Sequence, residues 1–175
     1  MEPLVRLGDL QDKVLIKLED NLTKVLLKSV FNRFNNVVET GKYLGCSVGS
    51  LYLYKKNFIP LSTLRKMLDK SSFSLEHVEK SIKYIKLRNG IPIKIKLPLY
   101  PSSMLAALVA HSLGDGSINI SGQVHYTNKN SELIDNFISL AQKVFKCPYT
   151  KTVRKGNQKD VYLPAIVGEL LCLSG

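Results

Sequence analysis

Residues 104–118 read MLAALVAHSLGDGSI, and this stretch decides the fold. Its first ten residues are apolar almost all round a helical wheel, so the pattern predicts a helix that must be buried on most sides. Small residues recur at every fourth position and form a ridge along which another helix can approach closely. They are Ala106, Ala110 and Gly114.

The helix is followed at once by Asp115. A carboxylate is disfavoured at a helix C-terminus by a few tenths of a kcal/mol up to ~1 kcal/mol, and a nearby cation would reverse that penalty. Carboxylate and carbonyl oxygens are the ligands that Mg²⁺ prefers. A plainer interpretation of the pair Asp115-Gly116 is a turn that closes the helix before a strand.

After this turn the sequence alternates between strand and helix patterns. In chain order these are strands at 118–121 and 123–128, a helix at 131–145, strands at 149–154 and 160–163, and a helix from Pro164. The predicted order is therefore helix, two strands, helix, two strands, helix.

Residues 108–118, LVAHSLGDGSI, resemble the LAGLIDADG motif of homing endonucleases in the variant that ends Gly-Asp-Gly-Ser-Ile. The order of elements over residues 102–175 is also similar to that family's αββαββα unit. The resemblance implies a homodimer through the 104–115 helix, with Ala106, Ala110 and Gly114 at the interface. It also implies double-stranded DNA as partner and a Mg²⁺ ion held by Asp115, with the Gly114 carbonyl as a second ligand. Such a metal activates water beside a scissile phosphate.

Two departures from the family pattern bear on activity. Leu113 stands where the motif usually has a second acidic residue, and residues 102–175 are fewer than the family's domain normally has. The expectation is either a fragment of a longer protein, truncated at its C-terminus, or a reduced domain that no longer cleaves.

The resemblance implies that the four strands form a saddle over the DNA major groove, with outward side chains at alternate positions. The first strand pair offers Asn119, Ser121, Gln123, His125 and Thr127, and the second offers Lys151, Arg154, Lys155 and Lys159. Lys151 and Lys159 are also candidates to support catalysis. The strand register, which the sequence leaves open, decides which of these side chains face DNA. His111 is interpreted as a core histidine with a hydrogen-bonded ring.

Residues 37–57 predict two short helices around a tight turn. Gly45 suits a left-handed turn conformation, and Ser47 suits the N-cap of the next helix. With small Gly41 in the first helix, these features match the helix-turn-helix pattern, although a generic helical hairpin looks similar. In a DNA-binding version the second helix enters the major groove. Its exposed face would present Ser47, Gly49, Ser50, Tyr52, Lys55 and Lys56.

The predicted fold class is α+β, with an all-helical N-terminal domain at 1–88 followed by the αββαββα domain at 102–175. Residues 10–35 are predicted to form amphipathic helices, because apolar residues from Leu15 to Phe34 recur at helical spacing. Apolar residues alternate strictly over 89–101, where two prolines favour an edge strand or an extended linker. We place the domain boundary there.

The chain has 175 residues, 45% of them hydrophobic, and a net charge of +11. Residues 1–100 carry 18 Lys and Arg against 9 Asp and Glu, while residues 101–175 carry 7 against 5. So basic a chain favours an anionic partner, of which nucleic acid is the commonest, although a basic but unspecific surface is the alternative.

The three cysteines lie far apart, which fits a reducing compartment, and they lack the spacing of a metal finger. The longest apolar run is far below the ~20 residues that cross a bilayer, so we expect a cytoplasmic protein with no membrane partner. No dinucleotide fingerprint or phosphate-binding loop is present in the sequence, so no small-molecule cofactor is expected.

These observations favour a site-specific, divalent-metal-dependent DNA endonuclease. The alternative is a non-cleaving transcriptional regulator built on a degenerate LAGLIDADG domain. An intron RNA maturase is a third hypothesis, because some members of that family assist splicing.

Overall fold

The computed structural model describes residues 1–154 and 157–175. Within them the protein has eight α-helices and two antiparallel sheets, so the predicted mixed α+β class is confirmed. Its buried apolar side chains form one cluster that draws on both halves of the chain. None of the helices in the described residues is long and apolar enough to cross a membrane.

The first half of the chain contains strands as well as helices. In chain order its elements are β1 (Leu15–Leu18), α1 (Asp20–Phe31), α2 (Val37–Leu44), α3 (Val48–Tyr54), β2 (Ile59–Pro60), α4 (Leu61–Asp69), α5 (Leu75–Glu79) and β3 (Ile82–Lys86). The three strands form an antiparallel sheet in the order β2-β1-β3. The prediction that residues 1–88 are all helical is therefore wrong.

The error has a physical reason. Leu15 and Leu18 fit helical spacing, but the fully buried residues of β1 are Ile16 and Leu18, which are two apart and lie on one face of a strand. Ile82 and Ile85 also fit helical spacing, yet they lie on β3, which pairs with β1. Four or five apolar and β-branched residues fit either period, and pairing between distant segments decides the outcome.

The pair α2 and α3 has the tight turn that the sequence predicts. Gly45 ends α2 in the left-handed conformation at φ 73°, and the Ser47 side chain accepts a hydrogen bond from the Ser50 N–H to cap α3. A Cβ at Gly41 would lie 2.8 Å from the Cys46 carbonyl oxygen, so the turn requires glycine there. Leu44 and Leu51 are buried beneath the pair.

Residues 91–101 form no helix, and their backbone bends at Leu97 and Pro98. Ile85 pairs with Ile93 and Val5 pairs with Leu99 through isolated β-bridges. The predicted alternation is confirmed, because the odd-numbered apolar residues from Ile93 to Leu99 are buried and Lys94 and Lys96 are exposed. The domain boundary in this segment stays a prediction.

The second half has the expected order of elements. These are α6 (Ser103–Gly114), β4 (Gly116–Ile118), β5 (Val124–Asn128), α7 (Ser131–Phe145), β6 (Thr150–Val153), β7 (Lys159–Leu163) and α8 (Ala165–Ser174). The strands form an antiparallel sheet in the order β4-β5-β7-β6. Helix α7 packs on one face of this sheet, where Phe137 stacks on Tyr126 with ring centroids 4.3 Å apart. We call the opposite face of the sheet the outer face.

Candidate nucleic-acid interface and metal-binding residues

Helix α6 presents an exposed apolar face. Ser102 caps its N-terminus, and its fully buried residues are Leu105 and Leu108. The predicted ridge of small residues lies on the exposed side, next to Leu113, whose relative exposure is 81%. A Cβ added at Gly114 would have no atom of the described residues within 4 Å. The surface that the sequence predicts to be buried is therefore uncovered within one chain. The ridge residues are Ala106, Ala110 and Gly114.

Asp115 stands where α6 meets the sheet. Its N–H donates to the His111 carbonyl at 3.2 Å, and its own carbonyl accepts from the Thr127 N–H at 3.2 Å. The carboxylate is exposed, and its Oδ2 accepts a hydrogen bond of 2.7 Å from the Asn128 side chain at the end of β5. The acid is thus fixed to the C-terminal end of β5 by backbone and side-chain hydrogen bonds together.

A chain of polar side chains continues from Asn128 into the protein. Burial and the negative charge of Asp115 raise the pKa of the Tyr126 hydroxyl, and a hydrogen bond from Asn128 opposes the shift. The Tyr126 hydroxyl also lies 3.1 Å from Nδ1 of His111, whose Nε2 is 3.1 Å from the Asn136 side chain on α7. The interpretation of His111 as a hydrogen-bonded histidine within the fold is confirmed. Its ring links Tyr126 on β5 to Asn136 on α7.

The ladder of β5 and β7 sets which side chains share the outer face. His125 pairs with Tyr162 and Thr127 pairs with Asp160, while the alternate residues Val124 and Tyr126 are buried against the helices. Directly opposite residues in an antiparallel pair lie on the same face. His125 and Thr127 therefore point outward, as predicted.

The outer face is organised around Asp160, whose side chain is only 2% exposed. Its carboxylate bonds His125 Nε2 at 3.0 Å and forms an ion pair with Arg154, while His125 stacks on Tyr162 at 4.7 Å. Burial alone would raise the pKa of Asp160, but hydrogen bonds from Thr127 and His125 and the charge of Arg154 outweigh it and lower the pKa. The charge of Asp160 is thus compensated at the centre of the outer face.

Lys151 and Lys159 do not lie on the outer face. Lys151 pairs in register with buried Val161, and its Nζ lies 2.9 Å from Asp135 Oδ1 on α7. That hydrogen bond lowers the pKa of Asp135. Lys159 pairs with Asn128 and so shares the face of Asp115's partner. The register therefore turns both lysines toward the helices, and their roles in DNA contact and catalysis stay predictions.

Three other predicted contacts fall in the turn between β4 and β5. Asn119 Oδ1 accepts hydrogen bonds from the backbone N–H groups of Ser121 and Gln123, at 3.0 and 2.9 Å. The sequence pattern predicts these residues on strands, whereas in the structure hydrogen bonds within the turn already occupy the Asn119 side-chain oxygen. Arg154 immediately follows β6, and Lys155 lies outside the described residues.

The candidates on the helix pair lie together at its surface. Ser47, Gly49, Tyr52, Lys55 and Lys56 are exposed, and Ser50 is half-buried. The hydroxyls of Ser47 and Ser50 lie 2.9 Å apart, so capping engages both. The Lys55 ammonium lies 5.5 Å from the centre of the Tyr52 ring, which places a cation and an aromatic ring on one exposed turn.

The sequence did not indicate Asn128, Tyr126, Asn136 or Asp160 as parts of the site. Each acts through a partner more than ten residues away, and strand register brings the partners together. The alternation of β5 is a usable signal for His125 and Thr127, but no local pattern indicates which carboxylate or amide they meet.

Oxygen donors at the end of α6 fit a hard divalent cation in part. Asp115 supplies an exposed carboxylate, and the carbonyl of the exposed residue Gly114 precedes it in the chain. Among residues 1–154 and 157–175, no group of three His, Cys, Asp or Glu side chains is placed to hold a metal ion. A cation bound there would need further oxygen ligands, which water, a phosphate or a second copy could supply.

Comparison of the chain with protein-family models, with curated proteins and with solved structures gave no significant match.

Proposed function

We propose that the protein binds double-stranded DNA site-specifically and cleaves it with the help of a divalent metal ion. One observation carries this proposal: an exposed carboxylate, Asp115, ends an apolar helix and is hydrogen-bonded by Asn128 at the end of β5, an inner strand of a four-stranded antiparallel sheet. A simple Asp-Gly turn requires no side-chain partner for the acid, whereas a catalytic ligand requires fixed geometry.

We further propose that two copies pair through α6. The exposed ridge of Ala106, Ala110 and Gly114 supports this, because small side chains let two helix backbones approach closely. The exposed side chain of Leu113 would be buried in the same helix–helix contact, and full burial of a leucine stabilises an association by ~1.5–3 kcal/mol. Pairing along this ridge would bring the two Asp115 carboxylates near the same groove of DNA.

In the proposed site Asp115 and the Gly114 carbonyl would hold Mg²⁺, and a bound Mg²⁺ would supply an activated water and offset charge on the phosphate. The chain's own residues fix the acid. Asn128 holds one carboxylate oxygen, and the other oxygen remains for the metal. The Tyr126 hydroxyl accepts a hydrogen bond from Asn128 and is itself held by His111. Such supporting partners commonly change metal affinity or activity about 10–100-fold when removed.

The outer face of the sheet is the proposed DNA contact, and its own net charge is small. His125, Thr127 and Tyr162 offer hydrogen-bonding and stacking groups there, while Asp160 is compensated and does not repel phosphates. The basic and aromatic groups on α3 would provide a second contact. Lys55 and Lys56 suit phosphates, which position the protein without reading sequence.

The test is selection from a library of duplexes with randomised sequence, with and without Mg²⁺. Wild-type protein should enrich one sequence and cleave it only with the metal. Asp115→Asn should bind the same sequence without cleaving it, and Asn128→Ala should cleave about 10–100 times more slowly. Glu132→Gln, which removes an exposed acid of α7, is the matched control and should cleave normally. Undiminished cleavage by Asp115→Asn would exclude the proposed mechanism.

A non-cleaving transcriptional regulator is the second candidate. The observation that favours it is the pairing of Lys151 with Asp135 on the helix side, which removes a lysine that could otherwise assist the chemistry. In the same selection, a regulator enriches one duplex sequence and leaves it intact with Mg²⁺ or Mn²⁺.

A further inference from the structure

A groove on the helix side of the protein is lined by five lysines. We call it the lysine groove, and its volume is about 600 Å³. Its walls are the extended segment before α6, the start of β3 and the C-terminal end of α7. The lysines are Lys80, Lys94, Lys96, Lys143 and Lys146.

The five lysines come from separate segments of the chain that the fold brings together. Burial of the odd-numbered residues of the extended segment turns Lys94 and Lys96 outward on the same side. Lys143 lies in the last turn of α7, and Lys146 follows it in a left-handed conformation at φ 45°. Three separate segments therefore contribute positive charge to one groove.

Acidic side chains do not offset this charge. Within residues 1–154 and 157–175, no carboxylate lies within 4 Å of any of the five ammonium groups. The one acid in the described lining, Glu79, is 4% exposed, and its Oε1 accepts a hydrogen bond from the Leu7 N–H. Like charges gathered in this way repel one another unless an anion binds.

The lining also indicates which part of a ligand the groove contacts. Its floor is apolar, with Ile82, Ile95 and Leu97, and a low-dielectric floor strengthens charge attraction above it. The described lining contains no aromatic side chain on which a base would stack. Lysine meets phosphate as a point charge and does not read bases.

We infer that the lysine groove binds the phosphodiester backbone of a nucleic acid without regard to sequence. The groove lies apart from the outer face, because its α7 wall belongs to the helix that covers the opposite side of the sheet. It is a second nucleic-acid contact, separate from the proposed cleavage site, because Lys143 and Lys146 lie at the C-terminal end of α7 whereas Asn128, the partner of Asp115, precedes its N-terminal end. A protein with both contacts holds two segments of nucleic acid, or one segment that wraps around it.

The test measures binding of a labelled random-sequence duplex against salt concentration. The groove variant is Lys94→Gln, Lys96→Gln and Lys143→Gln. The log–log salt slope falls by about 0.9 for each phosphate that the protein no longer neutralises, so this variant should reduce the slope by roughly 3. The matched control, with Lys13, Arg33 and Arg88 changed to Gln, removes the same charge from exposed positions that line neither this groove nor the pocket beside Lys55, and it should keep its slope. Arginine at the three groove positions should restore wild-type binding.

Equal reductions in the groove variant and the control would overturn the inference, since charge alone would then explain binding. Lysine acetylation read by mass spectrometry provides the second measurement, and the duplex should protect Lys94, Lys96 and Lys143. Protection by inorganic tripolyphosphate but not by the duplex would overturn the nucleic-acid assignment. A reduced slope in the groove variant combined with no cleavage by the wild type would refute the proposed nuclease and leave the groove intact.

Discussion

Replacing Gly41 with alanine should destabilise the protein, whereas the same substitution at Gly49 should stabilise it. Both glycines lie in short helices of the α2–α3 pair, and alanine in a helix interior gains roughly 0.5–1 kcal/mol over glycine. A Cβ at Gly41 would lie 2.8 Å from the Cys46 carbonyl oxygen, while the nearest atom to a Cβ at Gly49 is Ser47 Oγ at 3.8 Å.

The two sites differ in what can move. The Cys46 N–H donates to the Gly41 carbonyl at 2.9 Å, so displacing Cys46 also disturbs the bond that closes the turn. Overpacking of this kind costs about 1–3 kcal/mol, which exceeds the helix gain. We therefore expect a net destabilisation of about 0.5–2 kcal/mol for Gly41→Ala. Gly49→Ala should gain about 0.5 kcal/mol, because the contact is ordinary and the site is exposed.

Thermal and urea unfolding of both variants beside the wild type measure these changes. In a chain of this size, 1 kcal/mol shifts the melting temperature by roughly 2–4 °C, so the two variants should move in opposite directions. A Gly41→Ala variant as stable as Gly49→Ala would refute the close packing of the turn. Destabilisation of Gly41→Ala accompanied by weaker DNA binding would also connect the turn to the placement of α3.

Three further outcomes follow from individual side chains. Asp160→Asn should cost about 1.5–3 kcal/mol at pH 7, because the amide loses the negative charge that pairs with Arg154 and turns an NH2 donor toward Arg154 or His125. The pKa of Asp160 in the folded protein is below its ordinary value of 3.8, so ionised Asp160 stabilises the fold above pH 3.8. This stabilisation is lost as the pH falls through the lowered pKa. The difference in unfolding free energy between wild type and variant, measured in urea, should therefore be smaller at pH 3 than at pH 7. Ala110→Glu should abolish the proposed dimer in sedimentation experiments without lowering the melting temperature, and Val25→Glu on exposed α1 should leave the association unchanged. Burial raises the pKa of the Cys147 thiol to about 11, so at pH 8 a thiol reagent should modify exposed Cys172 at once and Cys147 only on unfolding.

The second half of the fold was predictable because its signals are local. Ser131–Phe145 forms a helix over the predicted residues, since Asn130 caps it and its apolar residues recur at helical spacing. The alternation of buried Val124 and Tyr126 with His125 and Thr127 likewise defines β5. Each signal lies within one element and needs no distant partner.

The sheet of the first half was not predictable in this way. Strand β1 gains its hydrogen bonds from β2 and β3, whose residues lie more than forty positions away along the chain. The apolar residues of β1 continue without a break into the helical pattern of α1, so the change of period is hidden. The extra strand pairing therefore replaced the first turns of a predicted helix.

For the candidate site, too, local features were predictable from the sequence and long-range partners were not. The position of Asp115 followed from one helix and its end, and the structure places it there. The partners of the charged groups did not follow, because a strand shifted by one residue would exchange the faces of Lys151 and Thr152. Register alone sends Lys151 to Asp135 and Arg154 to Asp160.

In the proposed dimer, the exposed apolar face of α6 favours association, whereas the acid at the end of the helix disfavours it. Pairing the ridge removes apolar surface from water and favours association. The same pairing brings together two helix C-termini, each with partial negative charge, and two Asp115 carboxylates. Repulsion between those ends would weaken the dimer, and a bound cation would relieve that repulsion, so binding of Mg²⁺ and association of two chains should strengthen each other. In the proposed nuclease, metal binding would therefore favour the assembled dimer.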